Sequence, residues 1–408
     1  MLLRVFVLTL ALNLLAACTA YEDGAQEETA AIFLIPTVAP ASAGTAVPTL
    51  PAPQMPTPIP TATVGTLAEA GEPVFVGPDD PHLRYIGRFD FQDPQRPAFD
   101  WSGSSIETGF TGTSVTILLS DGANYYNVTI DGETTILQTL PGESRYEGAS
   151  GLAQGEHTLR LTKRTEAYVG AAVFEGLLLD AGAELVKGPP APGRRLEFVG
   201  DSITAGYGIE GDSPECYFTP GTQNAARTYA AQTAEALGAD YTLLALSGLG
   251  VVRNLREAEA ASPETAVAYI DRTLGMNSFV RYPPGDAPPD AVVINLGTND
   301  FSSLPFPDDE AFVTAYQELL AELRGRYAAA QIVAVAGPLM QGRAPQLIAQ
   351  AVERQRTVAD DEAVRFLEIE DTLERSAVDF GCDWHPNVAG HEKMAAQLIP
   401  ALAEILGW

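Results

Sequence analysis

From Arg194 onward the chain alternates short apolar runs with stretches of helical periodicity, and no other feature restricts the possible folds as much. Residues 196–200, 242–246, 291–296 and 331–335 read as strands. Residues 225–237, 309–327, 344–359 and 388–406 read as helices. Apolar strands of this kind are buried on both faces, and parallel neighbours need a crossover long enough for a helix. The alternation therefore predicts a parallel sheet covered by helices over residues 194–408. In such sheets the chemistry gathers at the carboxyl ends of the strands.

Upstream the pattern changes. Residues 83–188 hold β-branched runs at 113–119, 125–130, 135–137 and 155–161, with turn signals at Ser120-Asp121-Gly122 and Asp131-Gly132. Short strands at this spacing predict an all-β sandwich. The stretch 189–193, rich in proline and glycine, separates the two domains. Residues 19–82 are built largely from Thr, Pro, Ala and Gly, with Pro51-Ala52-Pro53 and Pro56-Thr57-Pro58-Ile59-Pro60 at their centre. Proline removes donors and favours extended backbone, so this segment is expected to be a disordered spacer.

Residues 1–18 read as an export signal. One positive charge at Arg4 precedes an apolar run over 5–15 that is too short to span a bilayer. Leu15-Ala16-Ala17-Cys18 resembles a bacterial lipobox. That resemblance implies a lipidated Cys18 and a location outside the cytoplasmic membrane, tethered by the N-terminus. No later segment looks transmembrane. The formal net charge of −29 argues against nucleic acid and against charge-driven adhesion to anionic headgroups.

Three segments follow the strands of the second domain. They are Gly200-Asp201-Ser202-Ile203, Gly297-Thr298-Asn299-Asp300 and Asp383-Trp384-His385-Pro386. A serine hydroxyl needs a base to become a nucleophile at neutral pH. Four histidines exist. His82 borders the spacer, His157 lies beside a turn in the β-domain, and His391 sits inside the last helix. His385, at a loop-to-helix junction, is the natural base for Ser202. Asp383 is a candidate to orient its imidazole. Asn299 and the Ser202 N–H are candidate donors to an oxyanion. A third donor is expected from Ser247-Gly248-Leu249-Gly250, with Gly248 preferred over Gly250.

Together with Ser247-Gly248, these blocks stand in the order of the GDSL, or SGNH, hydrolase superfamily, which the chain resembles. The resemblance implies a three-layer α/β/α fold and ester hydrolysis. By position it implies Ser202 as nucleophile, His385 as base, and Ser202, Gly248 and Asn299 as oxyanion donors. The superfamily places its triad aspartate three residues before the histidine, whereas Asp383 is two before. A backbone carbonyl is therefore the alternative orienting group, leaving a Ser–His dyad.

The β-domain segments Gly87-Arg88-Phe89-Asp90-Phe91, Tyr125-Tyr126-Asn127-Val128 and Leu161-Thr162-Lys163-Arg164-Thr165-Glu166 look like carbohydrate esterase family 2. Members of that family join a β-jelly-roll to the hydrolase domain. The resemblance covers roughly 83–408 and implies removal of acetyl groups from plant polysaccharides or their fragments, with no metal and no cofactor. Trp384 and Asp300 are expected to face the substrate, and the molecule is expected to be a monomer. Cys216 follows the nucleophile block and Cys382 precedes Asp383, so a disulfide pinning the two catalytic loops is expected. A lipase-like or lysophospholipase esterase is the enzymatic alternative. A surface carbohydrate-binding protein with an inactive hydrolase domain is the other.

Overall fold

The computed structural model describes residues 71–283 and 288–408. The expected export signal with Cys18, and the expected spacer up to residue 70, lie outside the described residues.

The first folded part is built from two antiparallel sheets. In one, Val74–Val76, Ala172–Leu179, Val115–Ser120 and Arg145–Ala149 lie side by side in that order. In the other the order is Leu185–Val186, Ser105–Gly112, Gly155–Lys163, Tyr125–Ile130 and Glu133–Gln138. Alternate residues such as Val115, Ile117 and Leu119 point into a shared core with Phe110, Tyr126, Leu161 and Phe174. This is the expected sandwich, with one correction at its start. Val74–Val76 pairs with Leu177–Leu179, so the fold begins before residue 83 and the last part of the expected 19–82 spacer is structured. The dense run of prolines that signals a spacer ends at Pro60, and Val74-Phe75-Val76 beyond it has the β-branched, aromatic character of a strand.

The second part contains five parallel strands: β1 (Arg195–Gly200), β2 (Asp240–Ala245), β3 (Ala291–Asn295), β4 (Gln331–Ala336) and β5 (Val364–Glu368). Their order across the sheet is β2-β1-β3-β4-β5. Helices α1 (Ser202–Ala205), α2 (Tyr229–Ala236), α3 (Asp309–Arg326), α4 (Ala344–Val358) and α5 (Val388–Leu406) complete the main elements. The sheet has one core on each face. On one side Val292, Ile294, Ile332 and Ala334 meet Tyr316, Leu320 and Ile348 of α3 and α4. On the other, Phe198, Leu243, Val293 and Val333 meet Tyr229, Ala234, Leu398 and Leu402 of α2 and α5. The architecture is the expected three-layer α/β/α sandwich. Edge strand β5, Val-Arg-Phe-Leu-Glu, is broken by charges and did not stand out as a strand in the sequence.

In the order 2-1-3 the chain winds first to one side of β1 and then to the other, so the crevice beyond the carboxyl end of β1 is the topological switch point. Three of the candidate segments follow β1, β2 and β3 and therefore converge there. The β-domain is fastened beside this sheet by buried polar contacts. Arg88, 1% exposed, donates to the carbonyls of Ile270 and Arg272 at 2.8 Å each and pairs with Glu197 at 3.1 Å. Trp101 of the β-domain belongs to the hydrolase core rather than to its own sandwich.

Candidate active site

The nucleophile turn starts where β1 stops. A Cβ at Gly200 would lie 2.1 Å from Thr204 Oγ1, so only glycine lets the chain fold back so sharply. Asp201 then caps α1: its carboxylate accepts from the Ile203 N–H at 3.0 Å. Burial pushes the Asp201 carboxyl up to about 7, opposed by that N–H. Ser202 is the first residue of α1 and is largely buried.

His385 arrives from the far end of the chain. Its Nε2 lies 2.8 Å from Ser202 Oγ, and its Nδ1 lies 3.1 Å from the carbonyl oxygen of Asp383. A carbonyl can only accept, so Nδ1 must carry the proton, and Nε2 is left as the acceptor facing the serine hydroxyl. Burial lowers the His385 pKa, which keeps the ring neutral and its Nε2 free to accept a proton.

The Asp383 carboxylate is not the orienting group. Its Oδ2 accepts from the Tyr207 hydroxyl at 2.9 Å and from the Phe218 N–H at 3.0 Å. The expectation that this side chain completes a triad is corrected: the spacing of two residues carries the carboxylate away and leaves the backbone carbonyl against the ring. Asp383 and Trp384 both adopt left-handed backbone, with φ of 53° and 58°. That local conformation is unfavourable for ordinary residues and must be held by its surroundings. The Asp383 N–H donates to the Cys216 carbonyl at 2.9 Å, and the Trp384 N–H donates to that of Pro214 at 3.2 Å. The Cys216–Cys382 disulfide, with Cα atoms 4.5 Å apart, ties the same two loops. Tyr207 leans on the His385 ring at 4.4 Å, and Phe218 stacks on Tyr207 at 4.1 Å. Trp384 is 48% exposed, with its ring 5.9 Å from that of Phe380.

The loop after β2 supplies Gly248, in left-handed backbone with φ of 81°. Its carbonyl accepts from the Leu255 N–H at 2.8 Å, and its own N–H donates to no protein acceptor among the described residues. Gly250 differs: its N–H is engaged by Asn254 Oδ1 at 3.0 Å. Asn299, after β3, is buried. Its Nδ2 donates to Asp201 Oδ2 at 3.1 Å and to the Leu249 carbonyl at 2.9 Å. Both amide hydrogens thus have acceptors already, and an oxyanion would share one of them.

Asp300 is the second correction. It is fully buried, and its carboxylate accepts from the N–H groups of Val251, Val252 and Arg253 at 3.0, 2.7 and 2.9 Å. It shapes the loop after Gly248 and has no surface to offer a substrate. The other histidines have partners of their own. His82 meets Asp80, and His157 meets Asp131. His391 is buried and accepts the Tyr229 N–H at 3.0 Å. No group of three or more His, Cys, Asp or Glu side chains among the described residues is placed to hold a metal ion.

Sequence reading missed three contributors. Tyr207 lies only five residues after Ser202, and Phe218 two after Cys216, but nothing in the sequence shows that Tyr207 folds over His385 with Phe218 stacked on it. Glu166, from the β-domain, reaches Ser247 at 2.6 and 2.7 Å. Its only sequence signal is its place at the end of the segment that resembles carbohydrate esterase family 2.

Comparison with known proteins agrees with this architecture. The family model described as Carbohydrate esterase 2 N-terminal matches residues 85–189, and that of the GDSL-like Lipase/Acylhydrolase family matches 198–393. Cellulase/esterase CelE of Acetivibrio thermocellus is 39% identical over 81% of this chain, which spans 40% of that protein's length. An acetylxylan esterase / glucomannan deacetylase of Cellvibrio japonicus is 29% identical, with 77% of this chain and 87% of that protein covered. The structure of a family two carbohydrate esterase from Clostridium thermocellum in complex with cellohexaose superposes with a TM-score of 0.74 and 37% identity, covering 80% of this chain and 99% of that one. Two adjoining domains, a serine–histidine pair at the switch point and relatives that share both domains lead to one conclusion: the chain belongs to carbohydrate esterase family 2.

Proposed function

We propose that this chain is a serine esterase that removes O-acetyl groups from polysaccharides such as xylan or glucomannan, or from their oligosaccharides. The observation that carries this reading is the 2.8 Å contact between Ser202 Oγ and the unprotonated Nε2 of His385, within a family 2 carbohydrate esterase.

In this reading, Ser202 Oγ attacks the acetyl carbonyl carbon while His385 Nε2 takes its proton. The carbonyl π pair moves onto oxygen. The N–H groups of Ser202 and Gly248, with a shared hydrogen of the Asn299 amide, stabilise that oxyanion. As the tetrahedral adduct collapses, the bond to the sugar oxygen breaks and His385 returns the proton to it. The sugar leaves with a free hydroxyl and the acetyl group stays on Ser202. Water then attacks the acetyl-enzyme and His385 takes one of its protons; the adduct collapses, the proton returns to Ser202 Oγ, and acetic acid departs and ionises to acetate in solvent. The exposed indole of Trp384 offers an aromatic face for a sugar ring beside the nucleophile. Export, lipidation at Cys18 and residence at the outer surface of the cytoplasmic membrane, as a monomer, belong to the same proposal.

The test is acetate release from acetylated xylan, glucomannan and simple sugar acetates by the full chain, with Ser202→Ala beside it. Wild-type release that Ser202→Ala abolishes supports the reading. Faster turnover of long-chain acyl esters than of sugar acetates would move the substrate class to lipids, and a wild-type protein without esterase activity would refute the enzyme.

A further inference from the structure

We propose that Glu166 of the β-domain is a positioning residue for the oxyanion site, holding the Ser247-Gly248 peptide so that the Gly248 N–H faces the reacting carbonyl. The proposal rests on the acyl-transfer reading above and extends it: the β-domain becomes a working part of the esterase site.

The geometry is a two-point grip. Glu166 Oε2 accepts from the Ser247 N–H at 2.6 Å, and Oε1 accepts from the Ser247 hydroxyl at 2.7 Å. The next N–H along the chain is that of Gly248. Glu166 fixes one side of Gly248, and the Leu255 N–H, donating to the Gly248 carbonyl at 2.8 Å, fixes the other. A glycine at φ of 81° is otherwise free to swing, so an external clamp has something to do.

The same residue is bonded toward the nucleophile. Its backbone N–H donates to Gln223 Oε1 at 3.2 Å, and Gln223 Nε2 donates to the Ala205 carbonyl at 3.0 Å. Ala205 closes the short helix that Ser202 opens. Gln223 is fully buried and Glu166 is 3% exposed. Lys163, also buried, steadies the segment by donating to the Thr165 carbonyl at 2.8 Å and the Glu166 carbonyl at 3.3 Å. One β-domain residue thus sets the spacing between the nucleophile turn and the loop that carries the proposed oxyanion donor. A residue that only glued the domains together would have no need of this loop; Arg88 serves that purpose without it, against Ile270, Arg272 and Glu197.

The grip asks for an acceptor opposite the Ser247 N–H and a polar partner for its hydroxyl, not for a charge. Glu166→Gln meets both demands, with the amide oxygen accepting and the amide nitrogen donating. Glu166→Ala meets neither, and Glu166→Asp keeps the charge but falls one methylene short. With kcat and KM measured on a sugar acetate well below each variant's Tm, Glu166→Ala and Glu166→Asp should lose about tenfold or more in kcat, as expected for a displaced oxyanion donor. KM should stay within about threefold, since ground-state binding does not use the oxyanion site. Glu166→Gln should restore kcat to within about threefold of wild type. If Glu166→Ala does not fold, the aspartate and glutamine variants carry the comparison. Undiminished kcat in Glu166→Asp or Glu166→Ala, or a loss confined to KM or Tm, would overturn the proposal while leaving the esterase reading intact. A wild type that releases no acetate would overturn both.

Discussion

Replacing Asp383 by asparagine separates a dyad from a triad. In a triad, loss of the aspartate's charge leaves the histidine in the wrong tautomer and lowers kcat by about 10⁴, or roughly 5.5 kcal/mol. Here the contact to His385 Nδ1 comes from the backbone carbonyl, which every substitution at the position retains. What the side chain does contribute is two hydrogen bonds, from the Tyr207 hydroxyl and the Phe218 N–H, both to one carboxylate oxygen. An asparagine carbonyl can accept the same two, and asparagine tolerates the left-handed backbone observed at this position. The remaining loss is the charge assistance of bonds near solvent, about 1 kcal/mol in all. If all of it appeared in the activation free energy, kcat/KM would fall about fivefold. The assay is hydrolysis of a chromogenic acetyl ester, with active-site titration to count competent enzyme. A fall of three orders of magnitude or more in a variant with native circular dichroism and unchanged Tm would refute the carbonyl-oriented dyad.

Other outcomes follow from the same geometry. Because burial lowers the His385 pKa from 6.5, kcat/KM should hold through neutral pH and decline only below pH 6.5, as the ring protonates and stops accepting from Ser202; an acid limb centred above 7 would contradict this. Asn299→Ala should cost about 10²–10³ in kcat with little change in KM, measured on the same ester. The Cys216–Cys382 link joins residues 166 positions apart, and its loss in a Cys216→Ser/Cys382→Ser variant should destabilise by roughly 3–5 kcal/mol in urea unfolding. Activity in that variant should fall even where the fold persists, because the loop carrying His385 loses its anchor. His391 is pushed down to about 3 by burial, so the unfolded chain takes up its proton first as pH falls below 6.5. His391 alone therefore contributes a loss of about 2–3 kcal/mol between pH 7 and pH 4.5, opposed by proton uptake on the raised Asp201 carboxyl, so in urea unfolding over that range His391→Asn, which keeps an acceptor for the Tyr229 N–H, should lose less stability than wild type by about that amount.

Much of this arrangement is legible in the chain itself, and the rest is hidden for identifiable reasons. The strands of the parallel sheet show because burial on both faces leaves unbroken apolar runs; β5, at the edge, is broken by Arg365 and bounded by Glu368 and stays silent. His385 shows because only four histidines exist and it sits at a loop-to-helix junction, and Ser202 shows because it follows an apolar strand and precedes a glycine-containing stretch. Asp300 misleads: residue type and position beside Asn299 suggest a substrate ligand, yet the direction of a side chain after a strand end depends on a loop forty-seven to forty-nine positions away in sequence, whose N–H groups it caps. Glu166 could not be found by spacing at all, because its partner is eighty-one residues off and in another domain. Contacts of that range belong to domain docking, which local periodicity does not encode.

The choice of a carbonyl over a carboxylate to orient His385 has an electrostatic consequence. A carboxylate on Nδ1 would raise the imidazole pKa and stabilise the imidazolium formed during acyl transfer. A carbonyl carries only a dipole, and here burial outweighs it, so the His385 pKa falls below its ordinary value. The resting base is then more fully neutral at neutral pH, but the transition state receives less help from behind the ring. That help has to come from the front, where the oxyanion forms. A dyad of this kind leans harder on rigid placement of its donors than a triad does. The heavy bracing of the loop after β2, with Glu166 on Ser247, Leu255 on Gly248 and Asp300 on three successive N–H groups, answers that need. The two left-handed residues at 383 and 384 are the local strain that aims the carbonyl, and the disulfide beside them keeps it aimed.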